Sequence, residues 1–375
     1  MNDDASPVHD PARRRLLGTL AAAGLAGVMP CVHAKRSRPL GVALVGLGYY
    51  SRDLLAPALQ ATKHCRLAGI VTGTPAKAAE WQRRYGIPDR NVYDYAGFDR
   101  IVENSDIHVV YVVLPNHLHK PFTLRAAAAG KHVWCEKPMA MDAAEARAMI
   151  DACQQHRVQL AIGYRMQHEP NTQAVMALAK SRPFGRLRHI RAEAGFHGFD
   201  GASRDTWRLD AARGGGAMYD MGVYALNAAR YTTGAEPVAV TATSSVERPE
   251  IFRGVDETMR FRLEFPDGVT AACETSFGRN LNLLRAECEE GGYELSPFQA
   301  YEGVRGQASD GRRFDAVIGA TPAQQARQMD ADALAILERR PPRVPGEEGW
   351  RDMLALDAIF ASARAGGRRV EIASA

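Results

Sequence analysis

Leu40-Gly41-Val42-Ala43-Leu44-Val45-Gly46-Leu47-Gly48-Tyr49-Tyr50-Ser51 is the stretch that decides the fold. A short apolar strand runs into G-x-G-x-x-S, and a helical pattern follows. The first glycine allows a tight turn, and the second lets a pyrophosphate approach the backbone at the helix N-terminus. The third position, usually glycine, serves helix–strand packing, which a small serine tolerates. The motif is weak alone and gains weight from its place between a strand and a helix. Strand-like runs at 66–71, 108–114, 132–136 and 159–163 alternate with helical patterns at 74–85, 121–129 and 142–156. That alternation predicts a doubly wound parallel sheet, an α/β Rossmann domain over residues 35–163.

The end of the second strand speaks to the cofactor. An NAD site usually carries Asp or Glu about 20 residues past the glycines, on the ribose 2′-hydroxyl. Here the chain reads Val71-Thr72-Gly73-Thr74-Pro75-Ala76-Lys77. No carboxylate repels a 2′-phosphate, Thr72 offers a hydrogen bond and Lys77 a positive charge. NADP is expected over NAD.

After Gly163 the pattern changes. Met259 to Phe265 alternates apolar and charged residues, a turn at Pro266-Asp267-Gly268 follows, and 269–277 continues as a strand. Residues 188–194 and 238–243 are further strand candidates. Period-two alternation means one buried and one solvated face. The expectation is an α+β domain over 164–345 with a large, open, mostly antiparallel sheet. A helix beginning near Gly349, in a C-terminal segment 346–375, is expected to return to the Rossmann domain. An exposed sheet face favours a homodimer or larger homo-oligomer.

Arg13-Arg14-Arg15, an apolar run from Leu16 to Met29 and small residues ending Val32-His33-Ala34 form the pattern of a cleaved export signal over 1–34. The run is shorter than the roughly 20 apolar residues a bilayer span needs. Consecutive arginines before Leu16-Leu17 resemble a twin-arginine signal, which implies a periplasmic destination and no membrane association after cleavage. Beyond the leader lie Cys65, Cys135, Cys153, Cys273 and Cys288. An odd number without C-x-x-C spacing argues against a disulfide framework or a zinc site, though Cys273 and Cys288 could pair if their strands were neighbours. His117 and His119 lack further ligands at suitable spacing, so no metal is expected. The 47 basic and 43 acidic residues are interspersed, which speaks against a nucleic-acid partner.

Three motifs together carry a resemblance: the glycine turn at 46–51, Glu136-Lys137-Pro138 at a strand end, and Gly214-Gly215-Gly216 leading to Asp220 and Tyr224. In this order they resemble the glucose–fructose oxidoreductase/inositol dehydrogenase (Gfo/Idh/MocA) family of NAD(P)-dependent sugar enzymes. Leu114-Pro115-Asn116, Gly163-Tyr164-Arg165, Thr206-Trp207-Arg208-Leu209 and Pro345-Gly346-Glu347-Glu348-Gly349 match as well. The resemblance covers roughly residues 40–365. It implies that Gly46, Leu47, Gly48, Tyr49, Tyr50, Ser51, Thr72, Lys77 and Tyr95 hold the adenine-ribose and phosphate side of NADP. Leu114, Asn116, His119, Glu136, Lys137, Arg165, Trp207 and Arg208 would line the nicotinamide side. It also implies a cis bond at Lys137-Pro138. The family's glucose–fructose branch has a long proline-rich arm after its signal, but only Lys35 to Pro39 fill that gap here. The arm does not carry over.

Oxidising a sugar hydroxyl needs a base for the hydroxyl proton, and the reverse reaction needs the same group as an acid. Tyr224 is the candidate, with Lys137 supplying positive charge and a hydrogen bond to the sugar oxygen. Asp220, four residues earlier and on the same helical face, would orient Lys137 or bind a sugar hydroxyl. An exported enzyme has no obvious pool of free NADP. The expectation is therefore a tightly held cofactor, reduced as an aldose is oxidised at C1 to a lactone and reoxidised as a second sugar becomes an alditol. A conventional NADP-dependent sugar dehydrogenase, an NAD-using glycosidase and a non-catalytic sugar-binding protein are the alternatives.

Overall fold

Strand β1 (Leu40–Val45) is buried along its whole length, because both faces of its sheet are covered. The computed structural model describes residues 38–201 and 205–374. The expected leader, 1–34, lies outside the described residues. Residues 49–59 are helical, of π type over Ser51–Leu55 and ending as α1 (Ala56–Leu59). After β2 (Cys65–Val71), α2 (Pro75–Tyr85) opens on its proline and closes on Gly86, whose φ of +66° suits glycine. The unit continues through β3 (Val92–Tyr93), β4 (Val109–Val112), α3 (His119–Ala128), β5 (His132–Cys135), α4 (Ala143–Gln155) and β6 (Leu160–Ile162). The sheet order is β3-β2-β1-β4-β5-β6 with every pair parallel. The order reverses between β1 and β4, and open α/β sheets bind ligands at that switch, outside the carboxyl ends of the strands.

The second sheet follows α5 (Pro170–Ser181). It comprises β7 (Leu187–Gly195) and, after α6 (Val223–Thr233), β8 (Ala239–Ser245), β9 (Thr258–Glu264), β10 (Thr270–Ser276), β11 (Leu281–Cys288), β12 (Gly291–Leu295), β13 (Gly306–Ala308) and β14 (Arg313–Phe314). Helices α7 (Ala323–Leu337) and α8 (Gly346–Arg364) then lead to an edge strand, β15 (Val370–Glu371). The order is β14-β13-β12-β11-β7-β10-β9-β8-β15. All pairs are antiparallel except β7 with β10, which run parallel in the middle. Helices α6 and α8 pack on one face. The other presents Arg191, Arg260, Arg262, Ala272 and Arg285 to solvent. Just before α8, Val344 accepts a hydrogen bond from the Ile162 amide at 2.9 Å, and α8 itself packs against both α4 and β8.

All five cysteines of the described chain are free thiols. Cys273 lies on β10 and Cys288 on β11, with β7 between them, so they do not pair. No helix among the described residues is long and apolar enough to cross a membrane.

Candidate active site

The glycine turn shows why each position carries its residue. Gly46 has φ +92°, and a Cβ there would stand 2.4 Å from the Val113 carbonyl oxygen. A Cβ on Gly48 would meet nothing within 4 Å, so that side of the turn is open to a ligand. Ser51, at the third-glycine position, is wholly buried and donates its hydroxyl to the Gly46 carbonyl at 2.6 Å. The serine thus staples the turn that a glycine would merely admit. Leu47 is buried beneath the turn, Tyr49 is 56% exposed, and Tyr50 is half-buried.

At the end of β2, Thr72 is buried and its hydroxyl accepts the Thr74 amide at 3.3 Å. The Tyr95 ring lies against Gly73, 3.1 Å from where a Cβ would stand. Thr74 provides no side-chain cap to α2, so first-turn N–H groups stay free to bind an anion. Lys77 is exposed on that turn and has no carboxylate partner among the described residues. An open glycine cradle, an uncapped helix start and an unpaired lysine fit a dinucleotide with a 2′-phosphate. Lys77→Glu replaces an attraction worth about 1 kcal/mol in water with a comparable repulsion. The NADP-to-NAD ratio of kcat/KM is therefore expected to fall by about 30-fold, measured with both cofactors.

The ends of β4, β5 and β6 converge on the start of the helix that ends as α6. Lys137-Pro138 is cis, and the Lys137 side chain is 11% exposed. Its Nζ donates to the Asp220 backbone carbonyl at 2.7 Å and stands 3.9 Å from the Asp220 carboxylate. The same ammonium lies 4.5 Å from the centre of the Tyr224 ring, a cation–π distance. Arg208 Nε donates to Asp220 Oδ2 at 2.8 Å while its guanidinium stacks on Trp207 at 4.5 Å. Burial works to raise the Asp220 carboxyl, but Arg208 and Lys137 outweigh it and hold the group below its ordinary value. The Arg165 guanidinium sits 5.5 Å from the Tyr224 ring centre. Lys137, Asp220, Tyr224, Arg165, Arg208 and Trp207 are thus brought together. Thr72, Lys77 and Tyr95 stand apart, at the end of β2.

Several residues expected to line the cofactor also brace the surrounding loops. His119 is 1% exposed, and its two ring nitrogens lie 2.8 Å from the carbonyls of Leu114 and Pro138. Burial lowers this imidazole to about 4, and both its nitrogens face backbone carbonyls, which braces the β4 loop against the β5 loop. Asn116 is equally buried and donates to the Gly214 carbonyl at 2.7 Å. Glu136 accepts the Tyr111 hydroxyl at 2.7 Å, and burial raises its carboxyl. Arg165 donates to the carbonyls of Gln299 at 2.6 Å and Ala300 at 3.0 Å, and also bonds Gln324. That grip holds Tyr301 against the site, its ring 4.5 Å from the Arg165 guanidinium and 6.4 Å from the Tyr50 ring. Tyr301 was not foreseeable, for it sits in an irregular loop with no motif. Burial pushes both the Tyr50 and Tyr301 hydroxyls up, so neither is a ready proton carrier.

Comparison with known proteins agrees with this architecture. Residues 40–164 match the family model described as an oxidoreductase family with an NAD-binding Rossmann fold, and residues 172–294 match the GFO/IDH/MocA C-terminal domain. The chain belongs to the GFO/IDH/MocA oxidoreductase family. It is 40% identical to aldose-aldose oxidoreductase from Caulobacter crescentus, with a TM-score of 0.84 over 89% of this chain and all of that one. D-xylose 1-dehydrogenase (NADP(+)) 2 of Haloferax volcanii is 32% identical over 86% of this chain and 95% of that protein. Levoglucosan dehydrogenase, at 23% identity and a TM-score of 0.76 over 90% of this chain and all of that one, shares the fold.

Proposed function

We propose that this NADP-dependent sugar oxidoreductase oxidises an aldose at C1 to its lactone and passes the reducing equivalents to a second sugar, keeping NADP bound throughout. The observation that carries the reading is the Lys137–Asp220–Tyr224 cluster, flanked by Arg165 and Arg208, beyond the carboxyl end of β5 in a sheet whose glycine cradle suits a dinucleotide. The similarity to an aldose-aldose oxidoreductase supports the choice of an aldose on both sides.

NADP supplies the group that takes up and returns the hydride. The chain's own residues manage the proton and the sugar. Lys137 spends one N–H on the Asp220 carbonyl, which leaves two donors for the sugar hydroxyl oxygen. Tyr224, with the Lys137 and Arg165 cations near its ring, takes the hydroxyl proton in oxidation and returns it in reduction. Asp220 stays ionised and holds Lys137 and Arg208 at fixed positions. Trp207 and Tyr301 give the sugar flat apolar walls that exclude water.

The export pattern of residues 1–34 supports a periplasmic location, and the solvated face of the second sheet supports a homo-oligomer. The xylose dehydrogenase relative favours a second reading, an ordinary dehydrogenase that exchanges free NADP. One experiment separates the two. Near-ultraviolet absorbance of the purified protein, with no cofactor added, is expected to rise with glucose or xylose and fall when a second aldose or fructose follows. A rise only after free NADP is added would establish the second reading. No response even then would sink both for these sugars.

A further inference from the structure

The third glycine of Gly214-Gly215-Gly216 has φ +108°, and a Cβ on it would fall 2.2 Å from Oδ1 of Asp256. Asp256 comes from the loop before β9, on the other side of the helix start. Its backbone carbonyl accepts the Ala217 amide at 3.0 Å, and its Oδ2 accepts the Met218 amide at 2.7 Å. The Asp220 amide bonds the Gly216 carbonyl at 3.2 Å, which begins the helical ladder. Gly216 has no side chain to cap this helix, so a residue 40 positions away supplies the cap. Desolvation pushes the Asp256 carboxyl up to about 6, against the pull of the Met218, Asp256 and Ala217 amides. A residue that meets two successive amides of this turn from 40 positions away has a task.

The task is legible in what the first turn carries. Lys137 is held by the backbone carbonyl of residue 220, not only by its carboxylate. Any shift of the turn Met218–Gly222 therefore moves the ammonium of Lys137 as well as the side chain of Asp220. We propose that Asp256 is the positioning residue of the active site: it caps the turn at Met218 and so fixes the Asp220 carbonyl that aims Lys137. Gly216 is glycine because the Asp256 carboxylate occupies the space a side chain would fill. The inference rests on the reading that Lys137 and Tyr224 carry the proton step.

Two variants test it, Asp256→Ala and Asp256→Asn. Asparagine keeps an acceptor for the Met218 amide, and alanine does not. Misplacing a reacting group by about 1 Å costs on the order of 100-fold, so Asp256→Ala is expected to lower kcat by about 10- to 100-fold. NADP affinity, read by nicotinamide fluorescence, is expected to stay near wild type, and Asp256→Asn to recover most of the loss. Amide hydrogen exchange over 217–222 is expected to quicken in the alanine variant and not in the asparagine one. Unchanged exchange in Asp256→Ala overturns the cap. Faster exchange with unchanged kcat overturns the positioning. A joint loss of melting temperature, NADP affinity and kcat that asparagine does not repair makes Asp256 merely structural. A wild-type chain inert toward every aldose would instead sink the proposed function, and exchange at 217–222 would still decide the cap.

Discussion

Lys137→Met is expected to lower kcat by about 1,000-fold, the middle of the range that one acid–base group supplies. Two losses combine. The sugar oxygen loses its ammonium donor, and the Tyr224 ring loses the cation 4.5 Å from its centre. The fold should survive, because methionine fills most of the volume and Arg208 still pairs with Asp220 at 2.8 Å. NADP binding and melting temperature should therefore stay near wild type, and they distinguish a chemical defect from an unfolded one. Lys137→Arg is not expected to rescue. A planar guanidinium cannot reproduce a point charge that donates at once to a backbone carbonyl and a substrate oxygen. Tyr224→Phe should cost about 100-fold, and the double variant little more than Lys137→Met alone, because residues that act as a unit are not additive. Full additivity in kcat would mean that the two residues serve separate steps, and the shared proton path would fail.

The first sheet was legible because parallel strands covered on both faces are runs of apolar residues, and β1 matches its expected bounds to the residue. Strand β9 was legible for the opposite reason, since one solvated face left Arg260 and Arg262 exposed between buried Met259, Phe261 and Leu263. Edge pieces such as β13 and β15 carry too few residues for a period to show. Helix α7 hides its role differently: it buries Gln324, Gln325, Gln328 and Asp332, so its sequence misreports which side faces the interior. Within the site, motif residues were visible but their division of labour was not. Whether His119 touches a ligand or clamps two loops depends on which carbonyls its nitrogens meet, and spacing along the chain says nothing of that. Asp256 and Tyr301 reach the site from irregular loops through contacts remote in sequence.

The matching stretch Pro345-Gly346-Glu347-Glu348-Gly349 finds its explanation away from the chemistry, and the largest stability effect should lie there. Arg230 on α6 has a side chain only 2% exposed and meets three carboxylates: Asp352 at 2.6 Å, Glu348 at 3.0 Å and Glu236 at 2.6 Å. Asn227 donates to Glu348 at 3.2 Å and to Asp352 at 3.0 Å, and Gln167 donates to Glu348 at 3.1 Å. Burial opposes the Arg230 charge, and the carboxylates more than restore it. Arg230→Met removes the buried cation of this group and strands Asp352, while Glu348 keeps only the half-exposed Arg351 at 3.7 Å. Breaking a buried pair on one side costs about 3–5 kcal/mol, which should lower the melting temperature of a chain this long by roughly 4–7 °C. The pH dependence has a definite sign. Carboxyls left without their cation have folded pKa values raised above the unfolded ones, so the variant loses stability as pH rises through those folded values. Its deficit against wild type should be smallest near pH 4–5 and largest near pH 8. Adding Asp352→Leu should return part of the loss at pH 8, because an apolar replacement of a buried pair is often close to neutral. A deficit that does not vary with pH would point to lost packing by the long Arg230 stem, with charge playing little part. The cluster would then bind α6, which carries Tyr224, to α8 by shape alone.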